Sequence, residues 1–392
     1  MEVLEKAPLG ELMRQPVSSL DPKDHKNEMF YYYSIPAYDE GEPFKELGKE
    51  IGSSKKILEK GDVLISRIVP HIRRVWIIGE NEKHTNIGSS EWIVFNTDKV
   101  IPEYLRYFLL SDVFHNQFMK TITGVGGSLM RANKKLTERI KIPICSIEEQ
   151  KAIVAKLDRA QRLIDIDREM LAKYDELIQS VFLEMFGDPV TNPKGLKEKE
   201  FGELVEITGG YAFKSKDFVD DDSGVKVVKI ANVHFIDLDW SEVQYLPIES
   251  LKEHAKYSLK KGDILLALTR PIINSLDAVK AVVVKETDLP ALLNQRVARI
   301  RVDSDDVTED YITSFIYTQH FKRQIEKYAS TSLQPNVSNK EVSKIKVLVP
   351  EIDQQIKFSR VRRLILSERK ILEINQKKSE ELFSSLVQGV FS

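Results

Sequence analysis

Two stretches of this chain, about 200 residues apart, carry the same ordered set of short motifs. Gly10-Glu11-Leu12 returns as Gly202-Glu203-Leu204, and Lys60-Gly61-Asp62-Val63-Leu64 as Lys261-Gly262-Asp263-Ile264-Leu265. Tyr104, Phe108, Phe114, Gln117 and Lys120 return as Tyr311, Phe315, Phe321, Gln324 and Lys327, all at an offset of 207. Pro143 with Glu148-Glu149-Gln150 returns as Pro350 with Asp353-Gln354-Gln355. The period is far longer than that of a solenoid, so the pattern is domain duplication and not a stacked array. A duplicated chain has approximate twofold symmetry within one polypeptide. Its natural partners are a twofold ligand or a pair of identical subunits.

Each half reads as a globule followed by a long helix. The fold class expected is α+β: a first mixed α/β globule over 1–147, a first long helix over 148–187, a second globule over 188–352 and a second long helix over 353–392. Val63-Leu64-Ile65, Val75 to Ile78 and Trp92 to Phe95 are short β-rich runs, as are Val225 to Val233, Ile264 to Leu268, Val279 to Val284 and Val297 to Val302. Leu105 to Phe118 has helical spacing. Phe30-Tyr31-Tyr32-Tyr33 reads as a strand with rings in the core more readily than as a platform for bases. Leu157, Ile164, Leu171, Ile178 and Met185 recur at every seventh position, which predicts a coiled-coil seam with Asp167 as a misfit in the companion row. The second helix carries Phe358, Val361, Ile365, Leu372, Leu382 and Leu386. A 39-residue helix spans roughly 58 Å, more than one turn of B-DNA at about 34–36 Å.

With 392 residues, two or three domains are expected, each with its own core. No apolar run is long enough to span a membrane, and Met1 to Gly10 lacks the layout of a secretory signal, so a cytoplasmic protein is the expectation. The single Cys145 excludes an internal disulfide and a cysteine metal cluster. Seven scattered histidines offer no metal spacing, and neither a phosphate-binding Gly-rich loop nor a strand-led GxGxxG is present. Gly124 to Ser128 reads as a loop, and the triplet Glu149-Gln150-Lys151 as ordinary helix surface. A net charge of −2 argues against a nucleic-acid coat protein, yet 55–74 holds six basic residues against two acidic ones.

Polar loops at matching places in the two halves are the candidate contacts. Arg67, His71, Arg73 and Arg74 follow the first Lys-Gly-Asp strand, and Arg270 and Asn274 follow the second, with Arg67 and Arg270 taken as counterparts. Arg can bond guanine in bidentate fashion, and Asn or Gln can do the same to adenine. The alternative is a solvated surface turn. Gln295 and Arg296 form a further cluster beside Asn294 that could equally be a strand end. Lys134 and Lys135 in one half, and Gln334, Asn336 and Lys340 in the other, suit phosphate or base contact. Capping by Asn133, and by Ser338 or Asn339, is the stronger reading for those short polar side chains.

The order globule, Pro-x-x-x-x-Glu-Glu-Gln helix, globule, Pro-x-x-Asp-Gln-Gln helix resembles the specificity subunit of type I restriction-modification systems. The paired Lys-Gly-Asp strands and the loop Ser332-Leu333-Gln334-Pro335-Asn336-Val337-Ser338-Asn339-Lys340 fit the same pattern. Two departures are visible: the first globule lacks the Gly-Gly-Tyr-Ala-Phe of 209–213, and Gly124 to Lys135 replaces the Gln-Pro-Asn loop. The resemblance implies two target-recognition domains separated by two antiparallel helices, a pseudo-twofold arrangement without catalytic residues. Each domain would read one half of a split double-stranded DNA target. Two methyltransferase subunits would dock on the helices, whose seam would be Leu157, Ile164, Leu171 and Ile178 against Phe358, Ile365, Leu372 and Leu386. S-adenosylmethionine would sit in those partners and no cofactor in this chain, and a restriction subunit could join them. Two rivals stand beside this reading. One is an assembly protein with two globules on a helical stalk that binds no DNA, favoured by the near-neutral charge. The other is a self-sufficient nuclease or methyltransferase.

Overall fold

The computed structural model describes residues 5–81, 83–123, 130–220, 222–235, 237–273, 278–329 and 335–392. The chain divides into two compact units, 1–168 with 374–392, and 169–373. The division cuts both long helices, Ile147–Phe186 and Ile352–Phe391, so each unit owns one half of each helix.

In the first unit, strands Ser19–Leu20, Lys55–Ile57, Thr85–Gly88, Met29–Tyr33 and Phe44–Leu47 form a five-stranded sheet in that order. Met29–Tyr33 runs parallel to Thr85–Gly88 and antiparallel to Phe44–Leu47. Both faces of this strand are covered: Phe30 and Tyr32 pack with Ile51 and Ile87, while Tyr31 and Tyr33 face the Trp76 and Trp92 cluster. Alternate side chains of a strand point to opposite faces, which accounts for an aromatic run without polar alternation. A second sheet has Val63–Ser66 between Val75–Ile77 and Trp92–Phe95. The helical stretch is two helices, Pro102–Leu110 and Asp112–Met119, broken at Ser111, whose hydroxyl caps the second.

The second unit repeats this plan. Val225–Val228 runs parallel to Ala291–Leu293 and antiparallel to Tyr245–Leu246. Ile264–Ala267 lies between Ala281–Val283 and Val297–Val302, with Val205–Gly209 added at the edge. The apolar run 279–284 is not one strand. Ala278–Val279 pairs with Ile272–Ile273, and Ala281–Val283 with Ile264–Leu266. In each unit an antiparallel pair leads into a long helix: Glu5–Pro8 with Lys141–Ile144, and Lys197–Glu200 with Lys346–Val349.

Within each unit the two helix halves run antiparallel. In the first, Leu157 and Val387 share one core cluster, and farther along Arg168 bonds Glu380 at 3.0 Å and Ser379 bonds the misfit Asp167 at 3.2 Å. In the second, Arg369 meets Asp175 at 2.9 Å, while Ile178 and Ile365 share a cluster. Leu157, Ile164, Ile178, Phe358 and Ile365 are buried, and Leu171, Leu372 and Leu386 are half-buried. Val361 and Leu382 depart from the expected apolar row: they are 40% and 54% exposed. Each globule closes on the far end of a helix. Phe391 packs on Tyr104 with ring centroids 5.1 Å apart, and Phe186 packs on Tyr311 at 5.0 Å. Among the described residues, no helix is long and apolar enough to cross a membrane.

Candidate nucleic-acid interface

The repeated motifs turn out to be scaffolding. Gly61 and Gly262 have φ of 85° and 89°, a left-handed conformation in which glycine avoids the Cβ clash. Each turn delivers a buried aspartate. The Asp62 carboxylate accepts from the Glu59 and Asn96 nitrogens at 2.8 Å each and pairs with Arg14 at 2.9 Å. Burial pushes its pKa up against those partners. Asp263 accepts from the Lys260 nitrogen at 2.7 Å and is held by both ends of the Arg301 fork at 2.6 and 2.7 Å. Thus Asp62 draws its cation from upstream in the chain, and Asp263 from downstream.

The glutamines at the helix starts are the second scaffold element, and Gln150 is buried, not ordinary helix surface. Its amide accepts from the Ile101 nitrogen (2.9 Å) and donates to the Lys99 and Cys145 carbonyls (3.0 and 2.9 Å). Gln355 makes the same three bonds, to the Thr308 nitrogen (2.9 Å) and the Asp306 and Pro350 carbonyls (2.8 Å each). Each glutamine therefore fixes its helix to its own globule.

These anchors set up one loop apposition, built twice. In the first unit Ala132 donates to the Arg67 carbonyl (2.8 Å) and Val69 to that of Met130 (3.2 Å). In the second, Val337 donates to the Leu268 carbonyl and Arg270 to that of Pro335, both at 2.8 Å. The register pairs Val69 with Arg270, and both are left-handed, with φ of 46° and 48°. Such a conformation is an outlier for valine, and it persists in both units because the cross-loop bonds hold it. The expected counterpart pairing of Arg67 with Arg270 is therefore off by two residues: Arg67 matches Leu268. The strands end alike, but arginine occupies different steps of the following turn.

In the first unit Glu91 sits between Arg131 at 3.0 Å and Arg67 at 3.7 Å. Lys56 is close enough that burial, then the charges of Lys134 and Arg67, depress its pKa to about 8. Lys134 and Lys135 are exposed on the helix that Asn133 caps. His71 is exposed in the loop that follows the Val63–Ser66 strand. Arg73 is drawn aside to the Leu110 carbonyl (2.8 Å) and Asp112. Arg74 is a correction: it is buried, and its fork grips Asp39 at 2.7 and 2.8 Å, which makes it a brace and not a contact residue.

In the second unit Gln295 and Arg296 are exposed at the turn before Val297, with Arg296 left-handed at φ 68°, while Asn294 is buried as a strand end. Asn336 is exposed and bridges to Thr269. Lys340 is exposed on the short helix capped by Ser338, and Asn339 is not the cap. Asn274 and Gln334 lie outside the described residues. Sequence reasoning missed Lys56, Glu91, Arg131 and Lys280. Lys56 stood in the basic stretch 55–74, and Arg131 three residues before Lys134, already a candidate contact. Glu91 and Lys280 join the cluster only through sheet register, which no local motif carries.

The family model "Type I restriction modification DNA specificity domain" matches twice, over residues 7–173 and 193–382. The MjaVIII specificity subunit of Methanocaldococcus jannaschii is 29% identical over 299 residues, which is 72% of this chain and 69% of that protein. The putative MjaX specificity subunit of the same organism is 21% identical over 341 residues, 82% of this chain and 75% of that one. A solved chain from a study of assembly and conformational transition of the type I R-M system shares the fold, with a TM-score of 0.61, 18% identity and coverage of 100% of this chain and 98% of that chain. Two specificity-domain matches that together span most of the polypeptide, on a fold built twice, place the chain in the type I restriction-modification DNA specificity family.

Proposed function

We propose that the chain reads a split duplex DNA target, one half-site with each unit, and docks two methyltransferase subunits along its long helices. Its family consists of non-catalytic specificity subunits, and the transfer chemistry, with S-adenosylmethionine, belongs to the docked partners. A restriction subunit would join through them. The observation that carries the reading is the loop apposition built twice: in both units a left-handed residue at a strand end, Val69 or Arg270, sets a loop beside side chains that can bond phosphates and base edges, Arg67 and Arg131 in the first unit and Arg270 and Arg296 in the second. The net charge of −2 is no obstacle, because cations are gathered locally at these loops.

The helices support the docking half of the proposal. Besides their buried seam they expose Leu163 and Ile166 in the first unit, and Leu177, Leu364 and Ile371 in the second, each 39–63% open to solvent. An apolar stripe of that kind marks a protein-binding surface. Mapping modified bases after co-expression with the methyltransferase tests the reading. The expected result is a motif of two short blocks with a fixed unread gap. A single continuous motif would overturn it.

A further inference from the structure

The two units differ at three structurally matched positions, in charge at two of them and at the third in whether the cation is paired. Sheet and loop register pair Val69 with Arg270, Arg74 with Lys280, and Glu91 with Arg296. The last two pairings follow from equivalent bonds: Ser66 donates to the Arg74 carbonyl as Ala267 does to that of Lys280, and Arg67 donates to the Glu91 carbonyl as Leu268 does to that of Arg296. In the first unit the trio is a valine, an arginine consumed by Asp39 and a glutamate that binds two arginines. In the second unit all three are cations. They line one cleft of about 240 Å³ with Ile230, Ala231 and Thr269. Among the described residues no carboxylate lines that cleft or pairs with any of the three. Arg270 and Arg296 are exposed and both left-handed, so the backbone fixes where their side chains start.

We propose that Arg270, Lys280 and Arg296 form a clamp for one backbone phosphate of duplex DNA, a site that the first unit lacks because Glu91 and the Arg74–Asp39 pair occupy its place. The inference rests on the reading of the chain as a DNA-recognition subunit. Three cations without a counter-ion repel one another, and the monoanionic oxygens of a phosphodiester relieve that repulsion. A phosphate carries no sequence information, so the clamp supplies affinity and register to the second unit. In the first unit, Glu91 instead holds Arg67 and Arg131 in fixed positions at the same place. The two units thus divide labour unequally: the second grips more, and the first offers a braced polar surface.

The test uses the full chain assembled with its methyltransferase subunits, with binding of a target duplex and a scrambled duplex followed over a range of salt. Asparagine is tolerated in left-handed backbone, so the variant is R270N/K280Q/R296N. The clamp predicts that the slope of log affinity against log salt falls by about 0.9, the value for one phosphate. It also predicts that affinity for both duplexes falls by the same factor. Glu91→Gln in the first unit should leave the slope unchanged or steeper. An unchanged slope in the triple variant would overturn the clamp, as would a loss confined to the target duplex, which would make these residues base readers. If the triple variant fails to fold, Arg296→Asn alone carries the same prediction of sign. Absence of binding by the wild-type complex to either duplex would instead sink the DNA reading itself.

Discussion

Gln150 and Gln355 each satisfy three backbone groups that the approaching helix would otherwise bury unpaired. Replacing Gln355 by leucine keeps the volume and removes all three bonds. An unsatisfied buried group costs about 1–3 kcal/mol, and partial relaxation brings the expected loss to about 3 kcal/mol. The denaturant midpoint of the unfolding transition should report it, and a loss under about 1 kcal/mol would mean that water replaces the amide. Lys56 makes a second prediction. Its folded pKa of about 8 lies below the ordinary 10.5, so the unfolded chain holds the proton more tightly. Stability contributed at this site therefore rises as pH climbs from about 8 toward 10.5. The stability difference between pH 7.5 and pH 10 should shrink in Lys56→Met; an unchanged difference would refute the depressed pKa. Both glutamines were legible in the sequence as repeated letters, but their role was not. A motif announces that a position matters, whereas burial and bond geometry decide whether it serves structure or contact. Arg74 shows the same limit, since nothing local distinguishes an arginine aimed at solvent from one whose carboxylate partner lies 35 residues upstream.

At the scale of elements, the long helices were the most legible part of the chain. Heptad spacing placed Leu157, Ile164 and Ile178 in the seam, and they are buried. The second helix was harder to read, because Leu382 and Val361 repeat the apolar letters while facing solvent. Two apolar faces on one helix blur the single period that an amphipathic helix shows. The distinction can be measured. Ile178→Ala should cost about 2–4 kcal/mol, as truncation of a packed core side chain does. Leu364→Ala, at a position 63% exposed, should change stability by less than about 0.5 kcal/mol. If the stripe docks a methyltransferase, Leu364→Glu should abolish co-purification with it while leaving the unfolding curve in place. Retention of the partner would remove the stripe from the docking surface.

For the whole molecule, duplication was readable because the scaffold motifs recur, and the loops between them were not. Loop residues face solvent and a ligand, so packing does not hold their identities alike in the two copies. That is why Arg67 and Arg270 looked like counterparts until the register moved them two residues apart. Independence of the units yields a prediction. In mapped methylation, Arg67→Ala should relax or weaken recognition at one half-site only, and an equal effect on both would show that a single half-site is not assigned to a single unit.

The upstream cation of Asp62 and the downstream cation of Asp263 bear on how such a gene can be shuffled. A crossover between the two copies at the shared Lys-Gly-Asp codons yields unlike reciprocal products. One inherits both Arg14 and Arg301 around its aspartate. The other inherits neither and must bury a carboxylate that keeps the Asn96 amide but has no cation. Exchange at that point should survive in one orientation alone, so lineages that trade these modules are expected to break and rejoin elsewhere.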